Sequence, residues 1–135
     1  MLNGSLVFAA DLMREITVPA EISFVKMSSY AGTSSTGTVK QLIGLNNDIK
    51  GRTILIVEDI IESGLTMKAI LAQLAEKQPE AIHICTLLLK PDCLETELDI
   101  RYTAFEIPND FIVGYGLDYD QQGRNLKDIY TVVEE

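Results

Sequence analysis

The chain has 135 residues, of which 47% are apolar, a net charge of −9 and a pI of about 4.5. That length suits one domain with a real core and not two ordinary ones. The charge argues against non-specific nucleic-acid binding, which draws on basic surface, and no apolar run is long enough to cross a bilayer. An acidic chain can still bind a phosphorylated small molecule, because backbone N–H groups and a divalent cation hold phosphates without a basic surface. Residues 1–11 lack the basic start of a signal peptide, so a cytoplasmic location is expected. Cys85 and Cys93 fit no zinc spacing and no disulfide framework, and are expected to be reduced and structural.

Residues 2–5 read as a turn and residues 6–16 as a helix, with Ala9, Leu12, Met13 and Ile16 at helical spacing and Ser5 as N-cap. A turn that opens a helix in an α/β protein follows a strand, and only Met1 stands before this one; a first strand is expected to be missing. Residues 22–30 alternate as a strand. Residues 31–38, Ala-Gly-Thr-Ser-Ser-Thr-Gly-Thr, are small and polar, and read either as a disordered hairpin tip or as a lid over a ligand. Residues 39–45 form the returning strand and 46–51 a turn. The central unit follows: a strand over 53–57, a turn over 58–64, and a helix over about 65–77 with Met67, Ile70, Leu71 and Leu74 as its buried stripe and Pro79 as its stop. Residues 81–89 are apolar on both faces toward their end, as buried parallel strands are. Further strands are expected over 100–107, 111–116 and 129–133, with a loop over 117–125. No internal repeat or linker interrupts the chain. The sum is a single α/β domain over 1–135, with a mostly parallel sheet flanked by helices and a protruding hairpin. In such a sheet the loops after the strands share one edge, where Glu58, Asp59, Lys90, Asp118 and Asn3 are expected to meet.

The chemistry concentrates at residues 54–66. Ser63, Gly64 and Thr66 offer N–H groups and hydroxyls at a helix N-terminus, a cradle suited to one phosphate. The stretch is neither a Walker A loop nor a dinucleotide fingerprint. Glu58 and Asp59 would repel a phosphate, so they need another role. Carboxylates accept hydrogen bonds from vicinal hydroxyls and bind Mg²⁺. The combination suits a sugar phosphate with free hydroxyls. The plainer reading is that the acids end a strand and favour a helix dipole. Lys90 alone reads as a solvated strand end, and Phe111 alone as core. His83 lies in a strand and is assigned no role.

The stretch Val57-Glu-Asp-Ile-Ile-Glu-Ser-Gly-Leu-Thr66 resembles the phosphoribosyl-pyrophosphate motif of the type I phosphoribosyltransferases. More narrowly, the chain is similar to the hypoxanthine and hypoxanthine-guanine phosphoribosyltransferases. Leu2-Asn-Gly-Ser5, Ser28–Gly37, Leu87-Leu-Leu-Lys-Pro91, Pro108–Asp118 and Gly123-Arg-Asn-Leu-Lys-Asp128 carry the likeness in the same order, over nearly every residue. The resemblance implies purine salvage: Mg²⁺-dependent transfer of a phosphoribosyl group from phosphoribosyl pyrophosphate to hypoxanthine or guanine, giving IMP or GMP and pyrophosphate. It implies that Glu58 and Asp59 take the ribose hydroxyls and metal. The backbone over Ile61, Glu62, Ser63, Gly64, Leu65 and Thr66 would hold the 5′-phosphate, with Glu62 as general base near purine N7. Lys90 would donate to the purine 6-oxygen, Phe111 would stack on the base, the Ile112 backbone would meet its edge, and Asp118 would help bind the base and a second Mg²⁺. Leu2, Asn3, Gly4 and Arg124 would bind pyrophosphate, Ser29 and Tyr30 would belong to the lid, and the protein would form a homodimer or homotetramer. A lysine donor suits an oxo group and disfavours the amino group of adenine.

Two departures from the family pattern matter. Glu62 stands where the family has Asp, and Ser63 where it has Thr. The extra methylene shifts the carboxylate by roughly 1–1.5 Å, enough to cost about a hundredfold in rate. Family members also begin with several tens more residues, which supply a first strand and part of the hood over the purine. Their lack is expected to expose an apolar sheet edge and lower stability and activity. Two alternatives follow, an inactive or weakly active truncated fragment and a regulator that senses phosphoribosyl pyrophosphate; the net charge of −9 speaks against a nucleic-acid-binding regulator.

Overall fold

The computed structural model describes residues 3–31 and 38–133, with side chains left aside at 28–31 and 38–41. In chain order the elements are α1 (Leu6–Glu15), β1 (Lys26–Ala31), β2 (Thr38–Ile43), β3 (Thr53–Ile61), α2 (Leu65–Ala75), β4 (Ala81–Leu89), β5 (Tyr102–Glu106), β6 (Ile112–Val113) and β7 (Tyr130–Thr131). A single 3-10 turn, Pro91–Cys93, follows β4.

The centre is a three-stranded sheet in the order β3-β4-β5, parallel throughout. β4 lies in the middle, and its last six residues, Ile84–Leu89, are all buried, which is why that segment is apolar on both faces. The step from β3 to β4 passes through α2, the crossover a parallel pair requires. α2 turns Met67, Ile70 and Leu74 into a core shared with Ile49, Ile56, Ile61, Ile84 and Leu89. Burying each such side chain contributes about 1.5–3 kcal/mol. A second cluster, Leu87, Leu88, Ile112 and Leu117, seats β6 and the following turn against β4.

β1 and β2 form a separate antiparallel hairpin, with Lys26 opposite Ile43 and Ala31 opposite Thr38. Its base is tied down where the Leu42 N–H donates to Gln73 Oε1 of α2 at 2.9 Å. The tip of this hairpin, 32–37, where a lid is expected, lies outside the described residues. β6 and β7 make a second short antiparallel pair.

Several boundaries differ from expectation. Residues 22–25 are exposed or half-exposed and outside β1. β3 does not stop before the acids; it runs through Glu58 and Asp59 to Ile61, because Ile60 and Ile61 pair with Leu88 and Leu89. α2 ends at Ala75, ahead of Pro79, and the chain reverses through Gln78 at φ 57°. β6 is only two residues long, because Gly114 and Gly116 (φ 105° and 98°) turn the backbone out of the strand. Ser5 does hold the N-cap position of α1, but with φ −83° and ψ −2° its side chain makes no capping hydrogen bond.

Candidate active site

The junction of β3 and α2 carries the site. Ile61 is the last residue of β3, and its carbonyl accepts the Lys90 N–H at 3.0 Å, so the ends of β3 and β4 are held side by side. Residues 62–64 then turn into α2. Gly64 is left-handed at φ 80°, which favours glycine, and a Cβ there would press on the Leu98 side chain at 2.8 Å. The Ser63 hydroxyl accepts the Leu65 N–H at 3.3 Å, and its carbonyl accepts the Glu95 N–H at 2.9 Å. The turn is thus fixed from both sides, with the first N–H of α2 held by Ser63 and the next ones without a partner inside the helix.

A cavity of about 260 Å³ opens over this turn, lined by Glu58, Ile60, Ile61, Glu62, Ser63, Gly64, Thr66 and Met67. Of the residues expected to hold a phosphoribosyl group, Glu58, Ile61, Glu62, Ser63, Gly64 and Thr66 therefore share one space. Leu65 does not line it and is half-exposed. A larger apolar groove of about 500 Å³ runs between α1, residues 16–25 and β3, but it holds none of Glu58, Glu62, Ser63, Gly64 and Thr66, so the smaller cavity is the chemical site; Asp59 and Lys90 line neither space.

Glu58 is buried, and its pKa is pushed from 4.5 up to about 8. Burial is the main cause, followed by the charge of Asp59 and a hydrogen bond with it. Asp59 reaches the N-terminal loop: a Cβ on Gly4 would fall on its Oδ2. Gly4 in turn is met by Gly116, where a Cβ would lie 2.4 Å from the Gly4 carbonyl oxygen. Glycine is required at 116, where two backbones meet at φ 98°, while at Gly4 a side chain would displace the Asp59 carboxylate. Among the described residues no cluster of three or more His, Cys, Asp or Glu is placed to hold a metal ion. Two adjacent carboxylates, one of them strained by burial, fit the way Mg²⁺ is commonly held, by one or two acids together with substrate oxygens.

Lys90 is 5% exposed at the end of β4. Its Nζ donates to Glu62 Oε2 at 3.1 Å and to Asn109 Oδ1 at 3.4 Å. The plainer reading of Lys90 as a solvated strand end is therefore wrong. Asn109 had no signal in the sequence beyond a Pro-Asn-Asp turn, since its partner is 19 residues away. Phe111 is 57% exposed, contrary to the habit of phenylalanine, and Tyr119 meets its ring edge-on at 5.6 Å. Ile112 is buried in the second core cluster, which leaves its backbone as the part able to meet a ligand. Arg124 Nη1 donates to the Gly116 carbonyl at 2.8 Å, and Nη2 pairs with Asp118 Oδ1 at 3.4 Å. Asp118 Oδ2 also accepts the Gln121 N–H at 2.9 Å, so that carboxylate is engaged with Arg124 and its own loop. Arg124 reaches the Asn3–Gly4 loop only through Gly116. Leu2 lies outside the described residues, and Ser29 and Tyr30 are placed in β1 by backbone alone.

Comparison with known proteins decides what this arrangement belongs to. The phosphoribosyl transferase domain matches residues 1–120. The chain belongs to the phosphoribosyltransferase family. Within that family it is 47% identical over 133 residues to the hypoxanthine-guanine phosphoribosyltransferase of Mycobacterium avium, covering 98% of this chain and 66% of that protein. It is 46% identical to the hypoxanthine phosphoribosyltransferase of Salmonella typhimurium, covering 98% of this chain and 75% of that one. A crystal structure of a hypoxanthine-guanine phosphoribosyltransferase from Bacillus anthracis superposes with a TM-score of 0.85 at 40% identity, covering 98% and 78% of the two chains. The chain thus spans about two thirds of the mycobacterial relative's length. The shared phosphoribosyltransferase fold, a parallel sheet with flanking helices, agrees with the sequence reading. No helix of the described residues is long and apolar enough to cross a membrane.

Proposed function

We infer that this phosphoribosyltransferase carries out purine salvage, joining hypoxanthine, and guanine as a second base, to phosphoribosyl pyrophosphate with Mg²⁺ to give IMP or GMP and pyrophosphate. The observation that carries the reading is the buried Lys90 held by Glu62, which lines a cavity formed by the acid-rich end of β3 and the Ser-Gly-Leu-Thr turn.

Each residue then has a role its chemistry suits. The N–H groups and hydroxyls of 63–66 take the 5′-phosphate at the positive end of α2. Asp59 accepts the ribose hydroxyls as a carboxylate, joined by Glu58 once that acid gives up its proton, and their charge stabilises positive charge on the ribose as the bond to pyrophosphate breaks. Glu58 and Asp59 would hold Mg²⁺ and Asp118 a second ion, and the cation would supply positive charge beside the pyrophosphate. Asn3, Gly4 and Arg124, with Leu2, receive the pyrophosphate. Lys90 donates to the 6-oxygen, exposed Phe111 offers a face for the base, and the Ile112 backbone meets its edge. Glu62 accepts the proton that the purine gives up. Ser29 and Tyr30 belong to the hairpin that covers the site, and exclusion of water by that hairpin protects the reactive sugar. A cytoplasmic homodimer or homotetramer belongs to the same reading. Exposed Val18, Ile22, Phe24 and Leu55 beside β3, the edge strand of the described sheet, support self-association.

The test is IMP formation from hypoxanthine and phosphoribosyl pyrophosphate, with and without Mg²⁺. IMP that appears only with Mg²⁺ is the expected result. Absence of turnover together with absence of phosphoribosyl pyrophosphate binding would overturn the reading.

A further inference from the structure

The contact between Lys90 and Glu62 is not accounted for by the transfer just described, which gives the two side chains separate atoms of the purine. Here they hold each other. Lys90 Nζ lies 3.1 Å from Glu62 Oε2, with the lysine side chain 6% exposed and the glutamate 54% exposed. An ammonium has three donors and no acceptor, and a buried one must find acceptors. Glu62, from the turn after β3, supplies one; Asn109, from the segment after β5, supplies another at 3.4 Å. Lys90 stands between them because β4 is the middle strand.

Resting on the function proposed above, we propose that Glu62 competes with the 6-oxygen of the purine for Lys90, and so sets how tightly this chain holds 6-oxopurine ligands. In the structure the Glu62 carboxylate takes one of the three Lys90 donors and is the charged one of its two acceptors. An entering base replaces it with its own oxygen, and the same exchange frees the carboxylate to face the purine ring. As the nucleotide leaves, the pair re-forms and favours release. Asn109 keeps Lys90 aligned in both states and is a positioning residue. The device depends on the length of glutamate. Removing one methylene withdraws the carboxylate by ~1.5 Å, one carbon–carbon bond, and takes it out of ion-pair contact with Lys90.

Calorimetric binding of IMP to the full chain tests this without turnover, since IMP presents the 6-oxygen. Glu62→Asp is expected to tighten IMP roughly two- to fivefold, the size of a half-exposed ion pair. The gain is read against phosphoribosyl pyrophosphate, which has no base, on the same variant; an equal gain for that ligand would overturn the competition. In a Lys90→Met background the gain in IMP affinity disappears. Unchanged or weaker IMP binding by Glu62→Asp, or an equal gain with Lys90 removed, would overturn the competition while leaving the enzymatic reading intact. Failure of the unaltered protein to bind either ligand removes the enzymatic reading, and this inference with it.

Discussion

Replacing Lys90 with methionine separates recognition from stability. The Lys90 side chain is 6% exposed, so its ammonium is desolvated in the folded protein, and its ion-pair partner Glu62 is 54% exposed and partly screened. A buried charge paired to a solvated one contributes little net stability, and an apolar side chain of similar volume is often neutral or stabilising in its place. Methionine fills that volume and adapts its shape. Glu62 then turns to water, because half of it already faces water. The Asn109 amide loses a 3.4 Å hydrogen bond, a long one. The expected change in stability is therefore within about 1 kcal/mol of zero. The expected change in catalysis is much larger: loss of a charge-assisted hydrogen bond to the purine oxygen is worth about 1.5–3 kcal/mol, or roughly 10- to 150-fold in kcat/KM for hypoxanthine. Discrimination against adenine should fall by a similar factor, since the donor that disfavours an amino group is gone. Urea unfolding and steady-state kinetics with both bases read the two effects on one sample. Unfolding weakened by more than about 3 kcal/mol, or kcat/KM for hypoxanthine left intact, would refute the placement of Lys90 as a recognition group.

Three further outcomes follow from the same geometry. Glu62→Asp should raise the single-turnover rate of IMP formation by up to about a hundredfold, because the carboxylate moves by roughly 1–1.5 Å toward the position the family uses; no gain would contradict Glu62 as the displaced base. Gly116→Ala combines a left-handed φ of 98° with a Cβ 2.4 Å from the Gly4 carbonyl, so Tm should fall by several degrees and phosphoribosyl pyrophosphate binding should weaken; an unchanged Tm excludes the close approach of the two loops. Glu58 keeps its proton in the folded chain up to about pH 8, whereas the unfolded chain releases it near pH 4.5. Its contribution to stability is therefore greatest below pH 4.5 and declines as pH rises toward 8, with a slope of up to about 1.4 kcal/mol per pH unit. Glu58→Gln should flatten that slope in urea titrations run without Mg²⁺, and an identical slope in the variant would contradict the burial of this acid.

Much of the fold could be read from local pattern. The strand over 81–89 matched to the residue, because a central parallel strand is apolar on both faces. The start of α2 followed from a turn whose glycine can be left-handed. The acids misled the reading of β3: Glu58 and Asp59 suggest an end to a strand, but the ladder to β4 continues past them through Ile60 and Ile61, and buries Glu58 within it. The short β6 and the early end of α2 were set by φ values at Gly114, Gly116 and Gln78, which local hydrophobic pattern does not encode. At the site, Glu58, Glu62, Ser63, Gly64 and Thr66 were legible because they are neighbours in sequence. Asn109 at Lys90, Tyr119 at Phe111 and Gly116 at Gly4 were not, because each contact depends on how distant loops pack at one edge of the sheet. Exposure separated the two readings of Phe111, and burial those of Lys90, in each case against the usual habit of that residue type.

The most direct measurement is chromatographic analysis of the full chain incubated with Mg²⁺, phosphoribosyl pyrophosphate and either hypoxanthine or adenine. IMP and pyrophosphate in equal amounts from hypoxanthine, with little AMP from adenine, are expected if Lys90, held by Glu62 of the Glu58–Thr66 cavity, selects an oxo group. Equal turnover of the two bases would contradict that assignment, and no turnover of either would contradict the proposed transfer itself.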